Sequence, residues 1–215
     1  MKAIFAIVKR LLASNKISFI ITAIVVLCAT SSGDMVLSNG NYTWLLAVLT
    51  PFFFVFYDFT KLIHLGASKK DYFCGCLITY GFLAFCTSLV NTAIHLLIDP
   101  AYSAQTVINM MDVCGWTENG IFIAGLQQML FLLLVMVFLH VLLSMQPYWY
   151  GWLTDAVLIA VICIFTPIVP LRGILVNFFR ITMFNSNALL HIGICLLLSA
   201  AVSFGGLVVL KRKTL

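Results

Sequence analysis

The sequence predicts an all-α integral membrane protein with six transmembrane helices. Three observations carry that expectation: scarce charge, repeated apolar runs long enough to span a bilayer, and one-sided placement of lysine and arginine. Of the 215 residues, 63% are hydrophobic and 9% are charged, with a mean hydropathy of +1.12. A soluble domain of this length could not cover that much apolar surface with so few charges, whereas lipid favours an apolar outer face. About six spans of roughly 20 residues each use up most of the chain. Residues 1–215 therefore read as a single transmembrane domain.

The first element, KAIFAIVKRLLASNK at residues 2–16, has helical amphipathic periodicity. Ile4, Phe5, Val8, Leu11 and Leu12 share one face, and Lys2, Lys9 and Lys16 recur on the other. The pattern predicts an N-terminal interfacial helix with its lysines toward anionic headgroups. A signal-peptide n-region is the weaker alternative, because five more apolar segments follow the run that begins at Ile17. The six spans are placed at Ile17–Val36, Trp44–Ile63, Tyr72–Ile98, Ile121–Met145, Tyr148–Val169 and Ala188–Leu210. Trp44, Tyr72, Tyr148, Trp149 and Trp152 fall at their ends, where amphipathic rings prefer the headgroup layer.

Charge placement sets the orientation. Lys2, Lys9, Arg10, Lys16, Lys61, Lys69, Lys70, Lys211, Arg212 and Lys213 fall on one side of this arrangement. Arg172, Arg180, Asp34, Asp99, Asp112 and Glu118 fall on the other. The positive-inside rule makes the first side cytoplasmic, with both termini on it. The outer loop Asp99–Gly120 is long and polar, and the earlier outer turn holds a sequon at Asn41-Tyr42-Thr43. Pro167 and Pro170 should end the fifth helix, since a proline inside a helix removes a hydrogen bond and clashes with the preceding turn. The segment LRGILVNFFRITMF that follows is too apolar for a free loop. It reads as an outer re-entrant segment between spans five and six, made of short helices, tolerable only where protein or a wet cavity satisfies its backbone.

Several chemistries lack their residues. No Gly-Lys dipeptide occurs, so the chain has no phosphate-cradling loop. Glu118 is the only glutamate, Tyr57-Asp58 lacks a second aspartyl motif, and His64, His95, His140 and His191 lie on four separate segments. No catalytic site and no metal site are expected, and the chain is not expected to be an enzyme by itself. The seven cysteines are Cys28, Cys74, Cys76, Cys86, Cys114, Cys163 and Cys195. All but Cys114 sit in apolar runs, where a reduced thiol acts as a small hydrophobe.

Polar residues inside spans are costly and often functional. Asn91, His95 and Asp99 recur every four residues at the outer end of the third span. Asn91, His95, Gln127 and Gln128 are the candidates for a substrate path. The competing account makes the first two a helix end leaving lipid, and makes Gln127, Gln128 and His140 interhelical hydrogen-bonding groups; it is the simpler. Asp58 is expected to pair with Lys61, and Asp155 with Thr154 to cap the fifth helix. The small residues Ser199-Ala200-Ala201 and Gly205-Gly206 should let another helix approach closely.

The remaining feature is KLIHLGASKKDY at residues 61–72. Gly66 can end one helix and Ser68 can N-cap the next, giving a short basic elbow between spans two and three. With the N-terminal helix, the re-entrant segment before the last span and the short basic tail, the whole chain resembles the small permease subunits of bacterial ABC exporters with the six-span type V fold. The resemblance extends to the phenol-soluble-modulin and antimicrobial-peptide exporter group. It implies that His64, Leu65, Gly66, Ala67, Ser68, Lys69, Lys70 and Asp71 form a cytoplasmic coupling helix that docks on a separate ATP-binding cassette subunit. ATP and magnesium would reside in that partner, with no cofactor in this chain. It also implies a second permease copy, as homodimer or heterodimer, a bacterial cytoplasmic membrane, and an amphipathic peptide or other hydrophobic cargo. Membrane lipids are expected around it, and no nucleic acid. The chain lacks the sizeable extracellular domain of larger relatives. The main rival is an ATP-independent secondary transporter or lipid flippase, for which a buried mid-membrane acid or an inverted repeat would be expected; neither is visible in the sequence.

Overall fold

The computed structural model describes residues 2–29, 34–102 and 106–212. Two helices open the chain, α1 (Lys2–Ser14) and α2 (Lys16–Cys28), bent by 44° at Asn15. The buried stripe runs through the bend as Ile7, Leu11, Asn15, Ser18 and Thr22. Its spacing of three and four residues is that of one helical face. Of the predicted apolar face of α1, Leu11 is buried and Ile4, Val8 and Leu12 are partly so, while Phe5 is 74% exposed and Ile7 is buried in addition. In α2 the polar residues turn inward and the isoleucines outward, the reverse of a water-soluble helix. Helix α1 lies against α5 and makes an angle of 44° with α2.

The first span is shorter than predicted, because α2 ends at Cys28. Residues 30–33 of that predicted span lie outside the described residues, as does Lys213 of the basic tail. Val36 belongs to strand β1 (Met35–Leu37), which pairs in parallel with β2 (Thr106–Ile108) in the register Met35↔Thr106 to Leu37↔Ile108. The architecture is mostly helical, as expected, with this one three-residue strand pair among the described residues. Both strands lie in polar connections, where no strand-length hydrophobic alternation exists to announce them.

From Asn39 to His64 the chain is one candidate span with three characters. A 3₁₀ segment (Asn39–Trp44) leads into α3 (Leu45–Phe53), a π segment (Phe54–Asp58) follows, and α4 (Phe59–His64) ends it. Pro51 inside α3 cannot donate to the helix ladder, and the π segment comes directly after that turn. The Phe54 carbonyl accepts both the Phe59 amide and the Tyr72 hydroxyl, the latter at 2.7 Å.

Helix α5 (Lys69–Leu97) covers the third predicted span, followed across the predicted outer loop by β2, the short α6 (Met110–Val113) and α7 (Ile121–Met145). Then come α8 (Trp149–Phe165), α9 (Val169–Thr182) and α10 (Ala188–Arg212). The angle between α8 and α9 is 119°, with Pro167 in the break and Pro170 in the first turn of α9. The expected turn-back is present as one 14-residue helix rather than several short ones. Asp155 does not cap α8; it accepts from the Gln146 amide at 2.7 Å, and Thr154 bonds back to the Tyr150 carbonyl.

By length and apolarity, four helices can cross a membrane, and up to six if each bent pair counts as one span. Helix α7 is the hub, packing against α3, α5 and α10. The core fills with Phe54, Phe59, Tyr72, Phe73, Tyr80 and Leu132. Close approach of α10 occurs at Gly206, where an added Cβ would lie 2.6 Å from Val141 and 2.8 Å from Phe73. Gly205 beside it faces open space.

Candidate functional site

The elbow residues form one continuous feature at the basic end of the bundle. The segment His64–Asp71 is the end of α4, a turn and the start of α5, with no separate helix between them, which is the expected helix-turn-helix elbow. Gly66 takes φ +87°, a conformation that costs glycine nothing. The turn is closed by the Gly66 amide on the Ile63 carbonyl (2.9 Å) and the Ala67 amide on the Leu62 carbonyl (3.0 Å). The Ser68 hydroxyl accepts the Asp71 amide at 3.0 Å and donates to its carboxylate at 2.8 Å. Both helix ends are thereby capped, so a four-residue turn holds a fixed shape while Leu65 stands 64% exposed at its apex.

Other elements meet the elbow. Lys69 Nζ donates to the Lys211 carbonyl at 3.3 Å, which joins the end of α10 to the start of α5. Helix α1 borders the turn across an open groove of about 650 Å³ lined by Ile7, Lys9, Arg10, Leu62, Leu65 and Ala67 among others. Two side-chain bonds hold the α1–α2 corner on the second span: Ser14 to Asp58 (2.8 Å) and Asn15 to Thr50 (3.0 Å). The expected Asp58–Lys61 pair is replaced by this Ser14 contact, and the Lys61 ammonium lies 5.9 Å from the Tyr57 ring centre. Asp58 is 4% exposed.

The candidate path residues occupy a different place. Asn91, His95 and Asp99 line one face at the far end of α5, and the outer loop sits on them. Asn109 donates to Asp99 (3.2 Å), Asn91 (3.3 Å) and Ser38 (3.3 Å), while its own carbonyl oxygen accepts the Met111 amide and caps α6. Ser38 donates to Asp99 at 2.8 Å, and His95 bridges Asp99 (3.1 Å) toward Asp112 (3.8 Å). Asn41 donates to the Ile108 carbonyl and accepts from the Met110 amide, both at 2.8 Å. The sequon asparagine is thus a strap across the loop.

Gln127 belongs to a second clamp beside the first. Four side chains donate to carbonyls of the link between α9 and α10: His191 to Thr182 (3.0 Å), Trp116 to Met183 (2.9 Å), Gln127 to Asn185 (3.2 Å) and Asn119 to Ser186. The connection that follows the turn-back helix is held by the outer loop, α7 and α10 together. Gln128 is fully buried, and neither its oxygen nor its nitrogen has a hydrogen-bond partner. His140 meets the Tyr80 hydroxyl at 2.7 Å inside the core, as an interhelical contact between α5 and α7.

Asn91 and His95 thus share the network around Asn109 and Asp99, while Gln127 bonds the α9–α10 link and Gln128 has no hydrogen-bond partner. Sequence reading missed Ser38, Asn109, Trp116 and Asn119. Asn109 directly precedes Met110-Met111-Asp112 and had an N-cap signature that could have found it; Trp116 had none beyond being an aromatic in a polar loop. Burial pushes the Cys114 thiol, in the outer loop, up to about 12. Among the described residues no group of three or more His, Cys, Asp or Glu side chains could hold a metal ion. No protein-family model, curated protein or solved structure matches this chain.

Proposed function

We propose that this chain is the membrane permease subunit of an ATP-driven ABC exporter in a bacterial cytoplasmic membrane. It takes mechanical input through the elbow at His64–Asp71 and moves an amphipathic substrate such as a peptide outward. Both termini are cytoplasmic, the spans number six with α9 re-entrant, and two permease copies pair above two separate ATPase subunits that hold ATP and magnesium. One observation carries the reading: a rigid, doubly capped, basic turn projects from the junction of two long candidate spans, and α10 is bonded to its base. A mobile loop would absorb a push from below. A capped turn passes displacement to α4 and α5, and through their packing to α7.

The test is association. The full-length chain is co-purified in detergent with an ATP-binding cassette subunit encoded beside it, and bound ATPase activity is measured. Lys69→Gln/Lys70→Gln/Asp71→Asn is expected to release the ATPase while helix content is unchanged. Retention of the ATPase by that variant, or failure of the wild-type chain to bind any ATPase, refutes the reading.

The ATP-independent secondary transporter or flippase keeps one specific support, the carboxyl of Asp58 buried inside the second candidate span. That alternative expects Asp58→Asn to abolish transport in vesicles that contain no ATPase. The ABC reading expects no transport there at all.

A further inference from the structure

The groove between α1 and the elbow is open at the basic end of the bundle, where no acidic residue lines it. Its floor is Ile7, Leu62, Leu65 and Ala67, and the alanines at positions 6 and 13 keep the α1 wall low. Lys9 and Arg10 stand on its border, and neither makes an ion pair among the described residues. Asp58, the acid on the facing span, is turned inward onto Ser14. The volume of about 650 Å³ lies within the usual range of small-molecule sites, about 300–1,000 Å³. An apolar floor with two cations at its mouth, Arg10 within electrostatic reach of Asp58 but in no ion pair with it, is complementary to a molecule with an acyl chain and one phosphate. Basic pockets beside membrane-spanning helices take anionic headgroups for this reason.

We infer that this groove binds one anionic phospholipid, its phosphate held by Lys9 and Arg10 and one acyl chain lying on the floor formed by α1 and the elbow. The bound lipid fills the space between the N-terminal helix and the turn, so it fixes their spacing. The site shares Leu65 and Ala67 with the elbow, but its anion-holding residues are neither Lys69 nor Lys70, so its test and that of the transport reading fail separately.

Native mass spectrometry of the full-length chain, titrated in detergent with dioleoyl-phosphatidylglycerol or dioleoyl-phosphatidylcholine, reads retained lipid directly. The expected result is preferential retention of phosphatidylglycerol. Each basic residue near an anionic lipid surface is worth roughly fivefold, so Lys9→Gln/Arg10→Gln should weaken retention about five- to twentyfold. Lys69→Gln/Lys70→Gln, with equal loss of charge outside the groove, should leave it unchanged. Ala6→Trp, which fills the groove but keeps both cations, should lower retention of both lipids, and it decides the matter should the charge variant lose helix content by circular dichroism. Glycerol 3-phosphate should not displace the lipid. Absence of a headgroup preference, equal losses in the two charge variants, full retention by Ala6→Trp, or displacement by glycerol 3-phosphate would each overturn the site. Those four outcomes mean, in turn, no site, surface charge alone, a groove left to a protein partner, and a phosphate site without a lipid.

Discussion

Replacing Asn109 with alanine should loosen the outer cap of the protein without touching its core. The side chain is fully buried and makes four contacts at once, to Asp99, Asn91, Ser38 and the Met111 amide. Loss of the N-cap costs about 1 kcal/mol. Loss of the amide donor leaves the Asn91 oxygen buried without its partner, for about 1–2 kcal/mol more. The Asp99 carboxylate keeps Ser38 and His95, so it adds little. A total of about 2–3 kcal/mol applies to local opening, and each 1.4 kcal/mol is a factor of ten. Amide hydrogen exchange reads local opening, so the β1–β2 amides should exchange roughly thirty- to 150-fold faster in Asn109→Ala, with α5 and α7 unaffected. Asn109→Ser keeps a good N-cap and should show about half the free-energy loss. Exchange at β1–β2 within threefold of wild type in Asn109→Ala would refute the clamp.

Gly206→Ala should destabilise by about 1–3 kcal/mol through overpacking against Val141 and Phe73, whereas Gly205→Ala should be neutral or better; thermal denaturation in detergent compares them, and equal shifts would refute the assigned α10 contact face. Trp116→Phe removes the donor to the Met183 carbonyl and should cost about 1–2 kcal/mol, read as faster exchange across the α9–α10 link with β1–β2 unchanged. Cys114 should resist water-soluble alkylating reagents at pH 8. Its folded pKa of about 12 lies above the ordinary 9.0, so only the thiol form is populated below that value and reactivity should climb about tenfold per pH unit without levelling near pH 9; a plateau at pH 9 would refute the burial.

What the sequence revealed follows from what lipid and water each enforce. Apolar runs must span, so the helices at Ile121–Met145 and Ala188–Arg212 begin where hydropathy alone puts them and end within two residues of it. Proline and glycine act locally, so the turn-back at Pro167 and Pro170 and the Gly66–Ser68 elbow were both legible. The first span was not. Its buried stripe is polar, with Asn15, Ser18 and Thr22 turned inward, and a hydrophobic-face rule built for water-soluble helices selects the wrong side. The β1–β2 pair joins segments 71 residues apart in sequence, and three-residue strands carry no periodicity of their own. Asn91, His95 and Asp99 were correctly placed on one face, but their partners Ser38 and Asn109 come from two separate connections. No spacing rule links such residues before the fold does.

Apolar attraction cannot hold helices together in lipid, where tails are as apolar as leucine, so polar contacts and close packing carry more of the burden. The two ends of this bundle use that resource differently. At the outer end, the Asn109 cluster and the four carbonyl contacts on the α9–α10 link tie at least four elements into one unit. At the basic end the second candidate span contains a π segment, the chain bends between α1 and α2, and among the described residues the side-chain bonds Ser14–Asp58 and Asn15–Thr50 hold that corner. A π segment is one register shift away from an α-helix, and such segments are frequent at functional sites. A displacement applied at the elbow would therefore be accommodated first at Phe54–Asp58 while the outer clamp stays shut. On the proposed exporter reading, opening outward requires a change at the Asn109 cluster itself. On that reading, weakening the cluster by Asn109→Ala should raise substrate passage in reconstituted vesicles without any change at the elbow, and Ser14→Ala should not.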